Sequence, residues 1–232
     1  MAATPLLRPG DTCWRLETAS RLRFLVDYQD YFSALRSALA AARRSIHVLS
    51  WGFDPRTRLA PDGSRVRGAP DEIGCTLIEL AKANPSLDVR LLIWQSSLPI
   101  SATQDFFPHR AKAWFKDTGV RFQLDAEVPL GACHHQKVVV IDDRLAFIGS
   151  GDITGDRWDT PEHPDEDVRR RTPDGGLHPP RHEVMAMFDG PAAAALGELF
   201  RARWQVSAGE PPDGPTPGDA DPWPADVTPD LT

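Results

Sequence analysis

The sequence predicts an α/β fold. Short apolar runs typical of buried strands alternate along the chain with segments whose apolar residues recur at helical spacing. Two of these runs, 137–142 and 145–149, flank only Asp143 and Arg144, which predicts two antiparallel strands joined by a tight turn. With 232 residues and 41% hydrophobic side chains, the chain can bury a sizeable core, which excludes a disordered or fibrous protein.

The chain begins with a strand, a helix and a second strand. Residues 22–27 (LRFLVD) form an apolar run, which predicts a buried strand. Tyr31, Leu35 and Leu39 then recur every four residues, which predicts a helix with a single apolar stripe. Residues 45–51 (SIHVLSW) return to the pattern of a strand.

A polar loop, 52–68, precedes the second predicted helix. Pro70 and Asp71 suit the first turn of that helix, while Asn84 and Pro85 suit its end. The residues that would face the core are four apolar side chains at helical spacing: Ile73, Leu77, Leu80 and Ala81.

The following segment continues the alternation. Residues 88–94 (DVRLLIW) and 120–125 predict two further strands, and residues 106–118 predict the helix between them, which Gly119 ends. After the hairpin, residues 156–181 are polar and contain five prolines, which predicts one long loop. Long loops inside compact domains usually carry function or motion.

A last strand, 183–188, and an Ala-rich helix, 191–204, complete the predicted domain, which we place at residues 1–208. Residues 209–232 contain seven prolines and six acidic residues without periodicity, as a linker or tail would.

These six acids contribute most of the formal charge of −7, so the rest of the chain is nearly neutral. A neutral body argues against a nucleic-acid binder that relies on a broad basic face.

Cysteine usage and hydropathy indicate the cellular setting. Cys13, Cys75 and Cys133 are odd in number and widely spaced, so we expect neither a disulfide scaffold nor a redox motif. The sequence contains no run of about 18 apolar residues, and residues 1–12 lack the pattern of a signal peptide. We therefore expect a soluble cytoplasmic protein whose membrane contact is peripheral.

The strongest chemical signal is the segment 134–142 (HHQKVVVID), which places polar side chains at the start of a strand that otherwise reads as buried. In a strand, side chains at i and i+2 share a face about 7 Å apart, so His135 and Lys137 are expected to point the same way. An ammonium offers a point charge to a phosphate oxygen, and a neutral imidazole can act as nucleophile or general acid and base. The pair predicts an anion site.

A second signal is the segment Gly149-Ser150-Gly151-Asp152, which follows the hairpin. Small residues allow backbone N–H groups and a hydroxyl to approach an anion closely, so a phosphate could bind here. Taken alone, the segment fits an ordinary turn equally well. It is not the dinucleotide fingerprint, because its glycine spacing is one residue too long and no helical pattern follows it.

Together these residues resemble the HKD signature of the phospholipase D superfamily. The similarity rests on the pattern His135-x-Lys137, followed after four intervening residues by Asp142, with the Gly149–Asp152 segment beyond it. It extends to GDITGDRWDT, His182-Glu183-Val184 and WGFDPRTRL, and so covers nearly the whole chain, resembling the N-terminal half of two-domain enzymes and cardiolipin synthase-like proteins. The resemblance implies an α/β/α layered domain with a mixed β-sheet.

The resemblance also implies catalytic roles for the motif residues. His135 corresponds to the nucleophile or its general-acid counterpart, Lys137 to the residue that binds phosphate, and Asp142 to a residue that supports the strand and the site.

The resemblance assigns three further residues. Ser150 and Asp152 correspond to phosphate-binding positions, although Asn is commoner than Asp at the second. Glu183 stands where the family has an acid that hydrogen-bonds the catalytic imidazole, and we include it in the catalytic group.

One departure concerns the second motif. The superfamily site uses two HKD motifs, of which one supplies the attacking imidazole and the other protonates the leaving alcohol. H-x-K occurs once in this sequence. The resemblance therefore implies a homodimer, as in the short nucleases of the superfamily, or a second HKD domain in a longer enzyme, and the Pro-rich tail favours the latter. No cofactor is implied.

The sequence leaves three functions open. The first is a phospholipase D-type phosphodiesterase or phosphatidyl transferase that acts on phospholipid at a membrane surface through a phosphohistidine. The second is a homodimeric nuclease whose basic groove would use two Arg clusters, 43–44 and 169–171. The third is a non-catalytic half.

No metal site is expected, because the candidate ligands lack recognised zinc spacing: Cys133, His134, His163, His178 and His182.

Overall fold

The computed structural model describes residues 5–64, 71–95, 108–129, 131–214 and 220–232. Within them, alternating apolar runs form a seven-stranded sheet. Its strands are β1 (Leu22–Val26), β2 (Ser45–Ser50), β3 (Asp88–Trp94), β4 (Val120–Asp125), β5 (Val138–Ile141), β6 (Leu145–Gly149) and β7 (Val184–Asp189). All seven predicted strands are present, and their observed bounds differ from the predicted ones by one residue or none at each end.

The sheet is mixed, as predicted. Its strand order is β1-β7-β6-β5-β2-β3-β4. The β2–β3 and β3–β4 pairs are parallel, and the other four pairs are antiparallel. The predicted tight turn joins β5 to β6, with Asp142 and Asp143 in the left-handed region that hairpin turns require.

Helices cover both faces of the sheet, which confirms the layered α/β/α architecture. The helices are α1 (Asp27–Ala41), α2 (Ile73–Ala83), α3 (Pro108–Trp114) and α4 (Pro191–Ala208). One core lies between α1, α2, α3 and one face of the sheet, where alternate strand residues such as Val139 and Ile141 are buried. The other lies beneath α4, where Val138 and Val140 pack against Phe200.

The second and third helices differ slightly from the prediction. Helix α2 begins at Ile73, and Pro70 lies outside the described residues. Helix α3 ends at Trp114, earlier than the predicted 118, and Phe106 also lies outside the described residues. None of the described helices is long and apolar enough to cross a membrane.

The register of the sheet brings the motif residues to one edge. Leu49 near the end of β2 pairs with Val138 at the start of β5, which in turn pairs with Ile148 near the end of β6. Gly149 pairs with Met185 near the start of β7. The ends of β1, β2, β3, β4 and β6 and the starts of β5 and β7 therefore lie at this edge, which we call the site edge.

Asp142 lies at the opposite edge of the sheet. Its carboxylate accepts hydrogen bonds from three consecutive backbone N–H groups, of Arg43 (2.9 Å), Arg44 (2.8 Å) and Ser45 (2.8 Å). Because β5 separates it from Lys137, Asp142 cannot touch a substrate at the site edge. Its hydrogen bonds fix the start of β2 next to β5, in agreement with the predicted support of the strand. Its place in the catalytic group stays a prediction that this position does not support.

Replacing Asp142 by alanine is expected to lower stability without changing the chemistry. Three backbone N–H groups lose their acceptor, which costs about 1–3 kcal/mol in the free energy of unfolding. Asp142→Asn keeps an acceptor oxygen and a residue type that tolerates the left-handed backbone, so it should cost less. Urea unfolding measures the difference. A large loss of turnover per folded molecule in either variant would contradict this assignment.

The C-terminal segment does not extend away from the domain. Helix α4 ends at Ala208, four residues beyond its predicted end at 204. Residues 220–232 return to β1, where Leu231 bridges to Leu22 and the Asp230 carboxylate accepts a hydrogen bond from the Phe24 N–H (2.8 Å). Trp223 joins the core on the α1 side. The predicted linker or tail thus covers the free edge of β1.

Candidate active site

Lys137 lies directly before β5, and its ammonium is buried at the site edge. The side chain is 5% exposed, and its Nζ lies 3.3 Å from Oδ2 of Asp152, whose side chain is 4% exposed. Despite this ion pair, Nζ makes no hydrogen bond with the described residues. Burial lowers the pKa of the Lys137 ammonium, and the negative charge of Asp152 opposes this shift without cancelling it. The buried ammonium therefore keeps hydrogen-bonding capacity for an anion.

Asp152 is held by the segment that follows β2. Its Oδ1 accepts hydrogen bonds from the Ser50 hydroxyl (2.8 Å) and the Gly52 N–H (2.8 Å). Its own backbone carbonyl accepts a hydrogen bond from the Tyr28 hydroxyl (2.6 Å). One carboxylate thus joins the ends of β2 and β6 and leaves its second oxygen facing Lys137. Its ion pair places Asp152 as the partner of Lys137. The predicted contact of Asp152 with phosphate stays a prediction.

His135 lies in the irregular segment before β5, not in the strand, so the prediction of strand geometry for this residue is wrong. It nevertheless approaches the same neighbour as Lys137. The centroids of the His135 and Trp51 rings are 5.8 Å apart, and the Lys137 ammonium lies 5.6 Å from the centroid of a Trp51 ring. His135 is exposed and Lys137 is buried, so the imidazole lies at the entrance of the site and the ammonium at its base.

The neighbours of His135 in the chain point elsewhere, as predicted. The Nε2 atom of His134 lies 3.4 Å from the carboxylate of Asp125, at the end of β4. The Gln136 amide oxygen accepts a hydrogen bond from Arg203 of α4. These contacts hold the segment on both sides of His135 and leave its ring directed toward Trp51.

Ser150 and Glu183 meet on the other side of the site. The Ser150 hydroxyl donates a hydrogen bond to the Glu183 carboxylate, and Arg157 forms an ion pair with the same carboxylate at 3.2 Å. The hydrogen bond predicted from Glu183 to the His135 imidazole is absent among the described residues. Glu183 orients a hydroxyl and a guanidinium instead, so its role toward the imidazole stays a prediction.

Position 151 requires glycine, because a side chain here would overlap a buried ring. A Cβ on Gly151 would meet the hydroxyl and ring of Tyr28, which is a buried core residue of α1. Burial raises the pKa of the Tyr28 hydroxyl well above its ordinary value, so the hydroxyl stays protonated and donates to Asp152. The Gly149–Asp152 segment is therefore shaped by packing as well as by any bound anion.

Sequence reasoning missed two contributors to the site. Trp51 ends the second predicted strand, and nothing in its pattern distinguished it from a core residue. Arg157 follows Asp156 in the loop after Asp152, where a basic residue near a proposed phosphate site was a usable signal. With Lys137, Arg157 gives the site two cations.

The candidate metal ligands considered from the sequence do not gather as a group. Cys133 is exposed, His134 faces Asp125, and His178 is buried against the Pro179 carbonyl. His163 and His182, however, meet Asp27, and the possible ligand atoms of these three residues all lie within 4.8 Å of one another. Asp27 was missed because 136 residues separate it from His163 in the sequence.

Comparisons with known proteins identify relatives over most of the chain. The family model described as phospholipase D matches residues 38–216. Phospholipase D alpha 4 of Arabidopsis thaliana is 26% identical over 212 residues, which cover 76% of this chain and 27% of the relative. Phospholipase D beta 1 of the same plant is 29% identical over 224 residues, which cover 78% and 20%.

The chain therefore spans only about a fifth to a quarter of the length of these curated relatives. Among solved structures, the phosphatidylserine synthase of Haemophilus influenzae matches with a TM-score of 0.50 and 14% identity, covering 88% of this chain and 41% of that one. This likeness concerns the fold alone.

Proposed function

Because the chain belongs to the phospholipase D family, we propose that it catalyses phosphodiester transfer on phospholipids through a phosphohistidine formed on His135. The observation that carries the proposal is the arrangement at the site edge. A buried lysine ammonium, which has no hydrogen-bond partner among the described residues, lies next to Trp51, and an exposed histidine contacts the same ring system. This arrangement suits a phosphate diester whose apolar part remains in a lipid surface.

Two cations, Lys137 and Arg157, are proposed to bind the phosphoryl group. Lys137 is already partly desolvated, so it loses little hydration when a phosphoryl oxygen approaches, and its interaction with that oxygen is strong at low dielectric. Arg157 supplies a second cation, held in place by Glu183. The Ser150 hydroxyl donates to the same carboxylate and completes the polar wall on that side.

In the proposed first half-reaction, an unprotonated ring nitrogen of His135 attacks phosphorus. The nitrogen–phosphorus bond forms while the bond from phosphorus to the head-group oxygen breaks, and the leaving alkoxide takes a proton from a general acid. In the second half-reaction, water or an alcohol attacks phosphorus, the nitrogen–phosphorus bond breaks, and the general acid, now a base, accepts the proton of the attacking hydroxyl.

The general acid has to come from a second HKD motif. H-x-K occurs once in this sequence, so we propose that a second copy of the chain, or a second HKD domain, contributes the other imidazole. Each motif would supply one imidazole and one lysine to a shared phosphate.

Three of the five arginines expected to form a basic groove for a nuclease do not line the site edge. Arg43 and Arg44 directly precede β2, at the edge opposite His135. Arg170 is buried, with its guanidinium 3.2 Å from Asp159. These positions favour a phospholipid over a nucleic acid, in agreement with the near-neutral charge of the body.

A transfer assay tests the proposal. The purified chain is incubated with phosphatidylcholine vesicles and ethanol, and phosphatidylethanol is measured beside the free head group. Where a second copy of the chain supplies the general acid, we expect phosphatidylethanol from the wild-type chain and none from His135→Asn. A parallel assay with single-stranded and duplex DNA tests the nuclease. Cleavage of DNA without any transfer to ethanol would contradict the proposal.

A further inference from the structure

Three residues from separate segments meet beside the site edge. Asp27 is the first residue of α1, His163 belongs to the 156–181 loop, and His182 lies two residues before β7. His182 Nδ1 lies 3.0 Å from Asp27 Oδ1, His163 Nε2 lies 3.2 Å from Asp27 Oδ2, and the two ring nitrogens lie 3.2 Å apart. Ligand atoms bound about 2.1 Å from one ion are spaced roughly 2.9–3.4 Å apart, so these separations match one face of a coordination shell.

Hydrogen bonds do not satisfy this cluster when both rings are neutral. His163 Nδ1 lies 3.0 Å from the Asp159 carboxylate, which can only accept, so Nδ1 carries the proton and Nε2 presents a lone pair. That lone pair faces Oδ2 of Asp27, which is buried and has no hydrogen-bond partner among the described residues. The His182 Nδ1–H can donate to that lone pair (3.2 Å) or to Asp27 Oδ1 (3.0 Å). Among the described residues no neutral donor is left for Asp27 Oδ2, so this oxygen calls for a cation, which is either a proton on His163 or a metal ion.

The surroundings are those of a metal site. A metal-bound histidine usually donates its other N–H to a carboxylate, and Asp159 takes this position for His163. Asp159 is itself fixed by the Arg170 guanidinium (3.2 Å) and the Arg181 N–H (2.8 Å). The Glu183 N–H donates to Oδ1 of Asp27 (3.0 Å), which orients that carboxylate. The hydrogen bonds that orient the His163 ring and the Asp27 carboxylate are therefore present without an ion.

We propose that Asp27, His163 and His182 bind a divalent transition-metal ion, for which Zn²⁺ is the natural probe. Two imidazoles and one carboxylate suit zinc and its neighbours, whereas Ca²⁺ and Mg²⁺ prefer shells of oxygen atoms. The Asp27 side chain is fully buried, but that of His182 is 66% exposed, so the ion would be reached from solvent and would complete its shell with water.

The bound ion would fix the loop that carries Arg157. Asp27 and Glu183 are joined in both directions, because the Asp27 N–H donates to the Glu183 carbonyl (2.8 Å) as well as accepting from the Glu183 N–H. An ion on Asp27 and His182 therefore holds the residue that orients Arg157 and Ser150. The inference does not depend on the proposed reaction.

The test measures binding to the full chain after dialysis against a chelator. We expect one equivalent of Zn²⁺ to remain after gel filtration by elemental analysis, a rise in the thermal unfolding midpoint, and visible absorption bands of low-coordinate Co²⁺ when that ion is added. His163→Ala and His182→Ala should each weaken Zn²⁺ binding by at least about tenfold. His109→Ala, which removes an exposed histidine of α3, should leave binding unchanged.

Two results would overturn the inference. The first is a folded wild-type chain that retains no Zn²⁺ and gives no Co²⁺ spectrum, which would leave a proton on His163 as the cation. The second is stoichiometric binding that survives both histidine variants, since the ion would then lie elsewhere. Because the Co²⁺ spectrum is measured on the wild-type chain, a variant that fails to fold does not prevent a decision.

Discussion

His135→Asn is expected to abolish phosphoryl transfer while leaving the fold intact. The imidazole is exposed and its ring contact is with Trp51, so its loss should change the free energy of unfolding by less than about 0.5 kcal/mol. The attacking atom is lost, however, and the rate of transfer should fall by roughly 10³-fold or more. The measurement is the initial rate of phosphatidylethanol formation at equal concentrations of folded protein.

The matched control is His109→Asn, which removes an exposed histidine from α3. It should retain the wild-type rate. If His135→Asn keeps more than about a tenth of that rate, His135 is not the nucleophile, since neighbouring groups do not replace a missing nucleophile so effectively.

Asp152→Ala is expected to produce the largest loss of stability. The substitution leaves the Lys137 ammonium buried without its counter-charge and removes the acceptor of the Ser50 hydroxyl and the Gly52 N–H. Breaking a buried ion pair by removing one partner costs about 3–5 kcal/mol in the free energy of unfolding. Urea unfolding of the two proteins measures the loss.

Asp152→Asn separates hydrogen bonding from charge. The amide keeps an oxygen for Ser50 and Gly52, so this variant should lose less stability than Asp152→Ala. A cost below about 1 kcal/mol for Asp152→Ala would contradict the anchoring role of this carboxylate.

Asp152→Asn is also expected to shift the pH dependence of kcat/KM. The pKa of Lys137 is lowered by burial, and the charge of Asp152 counteracts that effect. Removing the charge therefore lowers the pKa further, and the ammonium is lost at a lower pH. The alkaline limb of the kcat/KM profile should move to lower pH in Asp152→Asn. An unchanged limb, or one that moves upward, would show that Lys137 does not govern it.

The sequence predicts the strands well because their signal is local. Each apolar run is bounded by a turn, a helix start or a loop. The left-handed residues Asp142 and Asp143 lie within one residue of the turn predicted at Asp143 and Arg144. The folding-back of residues 220–232 could not be predicted in this way. It depends on the Trp223 side chain and on pairing with β1, about 200 residues earlier in the chain.

The candidate site was only partly predictable for the same reason. The motif identified His135 and Lys137, and the structure brings both to Trp51. Spacing within the motif could not reveal that Asp142 lies at the opposite edge, because four strand residues carry it away from Lys137. Contacts between distant segments, such as Asp27 with His163, have no local sequence signal at all.

The most direct test of the account is to trap the covalent intermediate on His135. A phosphodiester with a nitrophenyl leaving group needs no general acid, so one HKD motif suffices for the first half-reaction. We predict a burst of nitrophenol of one equivalent per site, which is one per chain for an isolated motif and one per two chains where two copies share a phosphate. We also predict an alkali-stable phosphorus adduct on the peptide that contains His135. Folded wild-type protein that gives no burst, or an adduct on another residue, would contradict the proposed mechanism.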